Sequence, residues 1–153
     1  MRAPSRLLVL FLSAGLPAGC ADPLGPDEVA GTYVLQKVAG DTLPALLSAD
    51  LFPILFVFAD TLRLTAHGRG TAVKVVKGLP PEGGSPTGPV RLERAFSFRI
   101  VSGRIEIPVP CPWPADCSGP LHVVARPYSD GLRVDTAPGE RGPQTYARLA
   151  SSP

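Results

Sequence analysis

Three cysteines, two histidines and a single tryptophan are the residues whose chemistry could set this chain apart. Cys111 and Cys117 enclose the run Pro-Trp-Pro-Ala-Asp, so five residues lie between them. A redox dithiol usually has two intervening residues. In an exported chain this wider pair reads instead as a structural disulfide. Closing so small a ring contributes roughly 2 kcal/mol by chain entropy, less any strain. Prolines at 108, 110, 112 and 114 already stiffen the segment, and Trp113 stands at its tip. Two uses of Trp113 remain open: a plug folded back over one end of the core, or a rigid anchor for a partner.

Other chemistry is sparse. Metal centres need several His, Cys or carboxylate ligands at workable spacings, and His67 and His122 stand far apart, one in a Gly-rich turn and one alternating outward in a strand pattern. No metal and no cofactor is expected. Ser85 lies in Gly83-Gly-Ser-Pro-Thr87, which lacks the final glycine and the strand-to-helix setting of a nucleophile elbow. Glu93 and Glu106 are carboxylates on the wet face of strands, where solvation is the simpler role. No catalytic residue is expected, and the chain reads as a non-enzyme.

The N-terminus explains the third cysteine. Arg2 and Arg6 precede the apolar run Leu7–Leu12, and small residues lead to Cys20. A basic segment, a short apolar stretch and a small-residue break are the parts of a secretory signal, and the apolar run is too short to span a bilayer. Leu16-Pro-Ala-Gly-Cys20 resembles the lipobox of bacterial lipoproteins, with Ala18, Gly19 and Cys20 in place and Pro17 where that pattern usually has Leu. The resemblance implies that residues 1–19 are removed and that Cys20 is lipidated as the new N-terminus. Ala21 in place of Asp after the cysteine leans, by the same resemblance, towards an outer membrane facing the periplasm. Residues 20–29, with two prolines and three acids, read as a short extended tether.

The elements that follow, residues 30–150, read as one all-β domain. Gly and Pro together make 35 of 153 residues, and almost no window keeps a helical period free of them; a weak patch around Ala45–Asp50 is the exception. Alternating apolar and polar residues instead mark about eight short strands at about ten-residue spacing, which implies an antiparallel barrel or sandwich. The clearest is Val90–Val101, with Leu92, Phe96, Phe98 and Ile100 on one parity, broken only by Arg94. The expected interior joins these to Leu35, Leu62, Leu64, Val73, Val75, Ile105, Ile107, Leu121, Val123, Leu132 and Val134, since a one-residue slip would turn each set outward. Arg94 shares the apolar parity, so it belongs at a strand end, at a barrel mouth, or paired in a polar cavity. Leu51–Ala59 is apolar throughout and reads as a strand buried on both faces or a strand plus a loop packed over a barrel end, or else as a ligand-cavity wall or exposed partner surface.

With Arg2 and Arg6 in the leader, the mature chain has as many basic as acidic residues, so no field remains to hold nucleic acid. Gly31-Thr-Tyr-Val-Leu-Gln-Lys-Val38 and the closing Tyr146-Ala-Arg-Leu149 resemble the first and last strands of small lipocalin-like or META-like lipoprotein domains, a resemblance that implies a barrel. Two functions are expected from different classes. The first is a lipid-anchored interaction or structural module of the cell envelope; the alternative is a lipocalin-like carrier of a small apolar ligand. Export makes two linked predictions: Cys20→Ser should release the protein from the membrane fraction, and protein taken from the envelope should show no free thiol at Cys111 or Cys117. Mass spectrometry of the mature N-terminus and of an unreduced digest checks both, and a mutant that stays membrane-bound with its N-terminus elsewhere would defeat the lipoprotein reading.

Overall fold

The computed structural model describes residues 24–48, 54–79, 88–109, 121–135 and 140–150. Cys20, Cys111, Trp113 and Cys117 lie outside the described residues, as do Ser85 and the first three residues of the apolar run at 51–59. Within the described residues the chain is almost wholly strand, in one strongly curled antiparallel sheet that forms a half-barrel. The all-β class expected from the alternation is therefore the class observed.

Just before the sheet, Pro26–Val29 (α1) form one helical turn, where the sequence suggested an extended tether. The carboxylate of Glu28 accepts from the Gly25 N–H at 2.8 Å, and Val29 is buried in the core. Among the described residues eleven strands follow: β1 (Gly31–Val38), β2 (Asp41–Thr42), β3 (Ala45–Ser48), β4 (Ile54–Leu64), β5 (Arg69–Leu79), β6 (Val90–Ser97), β7 (Arg99–Val101), β8 (Arg104–Val109), β9 (Leu121–Tyr128), β10 (Gly131–Val134) and β11 (Gln144–Arg148). Their spatial order is β6-β5-β4-β1-β11-β10-β9-β8-β7, with β2 beside β1 and β3 beside β4. The Ala45–Asp50 patch with a faint helical period thus supplies a strand, β3, paired to β4 at Ala45↔Val57.

Turn residues set the hairpins. Ala39-Gly40 and Ser102-Gly103 both have positive φ at each central residue, the pair of conformations that matches the twist of a two-residue hairpin. At Ser129-Asp130-Gly131 the glycine has a second use. A Cβ on Gly131 would collide with the Tyr146 carbonyl, so only glycine lets β10 lie this close to β11.

Among the described residues, register shifts interrupt β1, β3 (between Leu46 and Ser48) and β4, and those in β1 and β4 bend neighbouring strands. In β4 the register shifts between Val57 and Ala59, and in β1 between Leu35 and Lys37. Each bulge carries one unpaired residue, which flips the facing of everything beyond it and sharpens the local curl. Leu62 and Leu64 face inward with Asp60, and past the bulge Val57 does so too. Phe58, at the bulge, is 42% exposed, so the apolar run at Ile54–Ala59 is not buried on both faces. In β1 the same device lets Tyr33, Leu35 and Val38 all reach the core.

Register also corrects the interior expected for β5. Leu64 pairs with Gly70, Leu62 with Ala72 and Asp60 with Lys74. The inner face of β5 is therefore Gly70, Ala72, Lys74 and Val76, while Val73 and Val75 lie on the outer face, opposite Glu93 and Arg91 of β6. The expected interior holds for Leu35, Leu62, Leu64, Phe98, Ile105, Ile107, Leu132 and Val134. It fails for Leu92, which is 52% exposed. The cause is position: β6 is an edge of the sheet, and its inner face looks across open space rather than onto a packed neighbour.

The strand expected over Val90–Val101 is divided at Phe98. Up to Ser97 it pairs with β5; from Arg99 it pairs with β8, so one continuous segment belongs to both edges of the sheet. Phe98 is buried at the crossing, and its N–H donates to the Gly68 carbonyl at 2.8 Å. Ile105→Ala should cost about 2–5 kcal/mol, the range for truncating a packed core aliphatic. Leu92→Ala should change stability by no more than about 0.5 kcal/mol. Chemical denaturation of both variants checks the pair, and equal losses would mean that β6 is packed as tightly as β8.

Candidate functional site

Between the two edges of the half-barrel lies a cavity of about 290 Å³. Such a volume stands at the small end of ligand pockets, which run from roughly 300 to 1,000 Å³. Its surface is mostly apolar, with Leu62, Ala72, Ile107, Val123 and Val134 on the far strands and Leu92 and Phe96 on β6. Phe96 is half-buried and its ring lies over Gly70, where a Cβ would come within 2.5 Å of the ring carbons. The absent side chain of Gly70 is the seat of that aromatic wall.

Arg94 lies at the rim, also lining the cavity, and its Nη2 donates to the Pro108 carbonyl of β8 at 3.4 Å. The guanidinium therefore reaches across the gap between β6 and β8 while remaining exposed. Of the placements its parity left open, the structure shows an exposed guanidinium, but in the middle of β6 beside the gap and not at a strand end.

One wall is polar. Asp60 comes from β4, Lys74 from β5, Gln144 and Tyr146 from β11, and Glu140 from the segment leading into β11. That segment is held by two backbone bonds, from Arg141 N–H to the Leu47 carbonyl at 2.7 Å and from Ala39 N–H to the Pro143 carbonyl at 2.8 Å. Lys74 Nζ stands 3.4 Å from Asp60 Oδ2 and 3.3 Å from Glu140 Oε1. Gln144 donates its Nε2 to Glu140 Oε2. The Tyr146 hydroxyl lies 2.7 Å from Gln144 Oε1 and 2.9 Å from Asp60 Oδ2.

The Gln144 amide gives its N–H side to a carboxylate, so its oxygen faces the Tyr146 hydroxyl. A phenol has one proton to give, and both Gln144 Oε1 and Asp60 Oδ2 lie within its reach as acceptors. Asp60 is 1% exposed, and desolvation raises its pKa above the ordinary 3.8, against the opposing pull of Lys74 and of its hydrogen bonds. Desolvation, with the nearby carboxylates, also holds the Tyr146 phenol well above 10.

Sequence reasoning did not find this cluster. Asp60 carries the signal that did single out Arg94, a charge on the apolar parity, since it continues Leu62 and Leu64. Lys74 was hidden by the more apolar parity of Val73 and Val75. Glu140 and Gln144 have no sequence signal; only pairing across the barrel brings them to Lys74 and Tyr146. Of the other residues weighed from sequence, His67 is exposed and His122 half-buried. Glu93 and Glu106 pair with Arg91 and Arg99 at 3.4 and 2.8 Å and do not form a carboxylate pair. Among the described residues no group of three His, Cys, Asp or Glu is arranged to hold a metal ion, and no helix is long and apolar enough to cross a membrane.

Fold and site define a curled all-β domain with a small apolar cavity and one polar wall. Comparison of the chain with protein-family models, curated proteins and solved structures gave no match.

A raised native pKa means that the folded state holds the Asp60 proton more tightly than the unfolded chain. The stability this contributes is present below pH 3.8 and is lost as pH rises through the raised native value. Asp60→Asn keeps an acceptor oxygen for the Tyr146 hydroxyl and removes the titration. Wild-type stability relative to this variant should therefore fall as pH rises above 3.8, measured by denaturation at several pH values. A difference that rises with pH would instead make Asp60 an ionised partner of Lys74.

Proposed function

We propose that the protein is a non-catalytic, lipid-anchored cell-envelope lipoprotein that binds a small apolar ligand in the cavity between β6 and β8. The observation that carries this reading is the cavity: apolar over most of its surface, with a few convergent polar groups, the usual composition of a small-molecule site. A packed structural module would fill that space with side chains. The anchor half of the reading rests on the lipobox-like leader ending in Cys20.

An interaction module remains the second reading, favoured by Val90 and Leu92, which stand exposed on an unpaired sheet edge. The two separate in a titration of the protein with a fluorescent apolar probe such as N-phenyl-1-naphthylamine. Wild-type protein should bind the probe, and Ala72→Trp, which places a ring in the cavity, should weaken binding by at least about tenfold, or about 1.4 kcal/mol. Ala72→Leu should give a smaller loss in the same direction and guards against misfolding of the larger variant. Absence of binding, or binding indifferent to a folded Ala72 variant, would leave the interaction module.

A further inference from the structure

The link between the lipidated Cys20 and the domain is much shorter than the sequence suggested. Ten residues lead from Cys20 to Ala30, a reach of about 35 Å when extended. The fold takes most of that reach back. Leu24 packs against the core, Val29 is buried, and the Tyr33 hydroxyl donates to the Val29 carbonyl at 2.8 Å. The Arg148 guanidinium donates to the Ala30 carbonyl. Only four residues then lead from Cys20 to Leu24, a reach of about 14 Å.

One end of the half-barrel lies within that reach. Gly31 pairs with Leu64 and Tyr33 with Arg148, so β1 starts where β4 and β11 finish. Gly131 opposite Ala147, and Ile105 opposite Ala125, bring the β9–β10 and β7–β8 turns to the same end. Val101, Tyr128 and Leu149 are exposed there. They stand at or just past the ends of β7, β9 and β11, alternate strands of the sheet and so about 10 Å apart.

We propose that this rim docks on the bilayer surface, with Tyr128 at headgroup level and Val101 and Leu149 beside it. This rests on the lipid-anchor half of the proposed function and adds how the domain meets the membrane. A tyrosine ring suits the boundary between headgroups and acyl chains. Charge at this end is mixed, with Arg69, Arg104 and Arg148 against Asp27, Glu28 and Asp130, so apolar contact and not attraction to anionic lipid holds the rim. Three residues suffice because the anchor makes their contact intramolecular. The sheet edges meet at Phe98, beside Gly68 and near this end, so the docked domain turns its open seam away from the bilayer.

The lipidated full-length protein, reconstituted in vesicles of phosphatidylethanolamine and phosphatidylglycerol doped with brominated phosphatidylcholine, tests the proposal. Tyr128→Trp adds a fluorophore at the rim, and Thr42→Trp adds one at the far end of β1; the parent protein gives the background from Trp113. Bromolipid should quench the tryptophan at position 128 at least about twofold more than the one at position 42, since interfacial rings sit at headgroup level. Adding Val101→Asp and Leu149→Asp should abolish that difference while the protein still floats with the vesicles. Equal quenching at the two positions in protein that floats would overturn the docking and leave the anchor standing. Shielding of position 128 from aqueous acrylamide in native envelopes, without bromolipid quenching in vesicles, would overturn it in favour of a protein partner. Protein that neither floats nor carries an acylated Cys20 would defeat the lipoprotein reading and the docking with it.

Discussion

Ser97, Phe98 and Arg99 connect the two opposite edges of one sheet, and this continuity obliges the sheet to curl. With β6 hydrogen-bonded to β5 and β7 to β8, three residues must span what would be the full width of a flat sheet. The burial of Phe98 and its bond to the Gly68 carbonyl hold the edges together at that point. Away from it nothing in the ladder joins β6 to β8, and the bond from Arg94 to Pro108 is a single side-chain contact across the gap. The cavity is the geometric remainder: edges joined at one end and left apart along the rest.

The polar wall depends on that curl. Asp60 and Tyr146 lie on strands separated by β1, and they meet because the sheet bends inward across it. Tyr146 in turn is placed by its neighbours. It pairs with Leu35 on one side and Leu132 on the other, and Gly131 leaves its carbonyl room. Burying this many polar groups is tolerable because each hands its hydrogen bond to the next. Remove one member and the remainder is a set of desolvated groups without partners, which costs more than a lost surface contact.

Much of the fold was legible in the sequence, and the reason is periodicity. Ile105 and Ile107, or Leu132 and Val134, alternate with charged or otherwise hydrophilic neighbours, and burial follows parity directly. Ser102-Gly103 specified its hairpin by residue type alone. Legibility ended where one residue more or less changes the facing. The extra residues in β1 and β4 break the alternation with no distinctive composition. In β5 the more apolar parity faces outward, because pairing with β4 fixes the register and overrides local hydrophobicity. Leu92 shows a further limit: alternation reports which way a side chain points, not whether anything stands opposite it. The site was least legible of all, since it is assembled from β4, β5, β11 and a loop, and its logic lies in hydrogen bonds among them.

The bulge in β4 has a bearing on how this chain could vary in length. Phe58 is the residue that β4 has in excess of its partner β5, and it points outward. Were it lost, Ala59 would follow Val57 directly, and Asp60, Val57 and Leu55 would still fall on the inner parity. A related chain one residue shorter here could therefore carry the same interior and the same polar wall. An alignment that matched columns by position from the strand's start would then set Asp60 against the wrong residue. Homologues are better aligned by counting back from the β4–β5 hairpin, where Leu64, Leu62 and Asp60 keep their spacing whatever happens beyond the bulge.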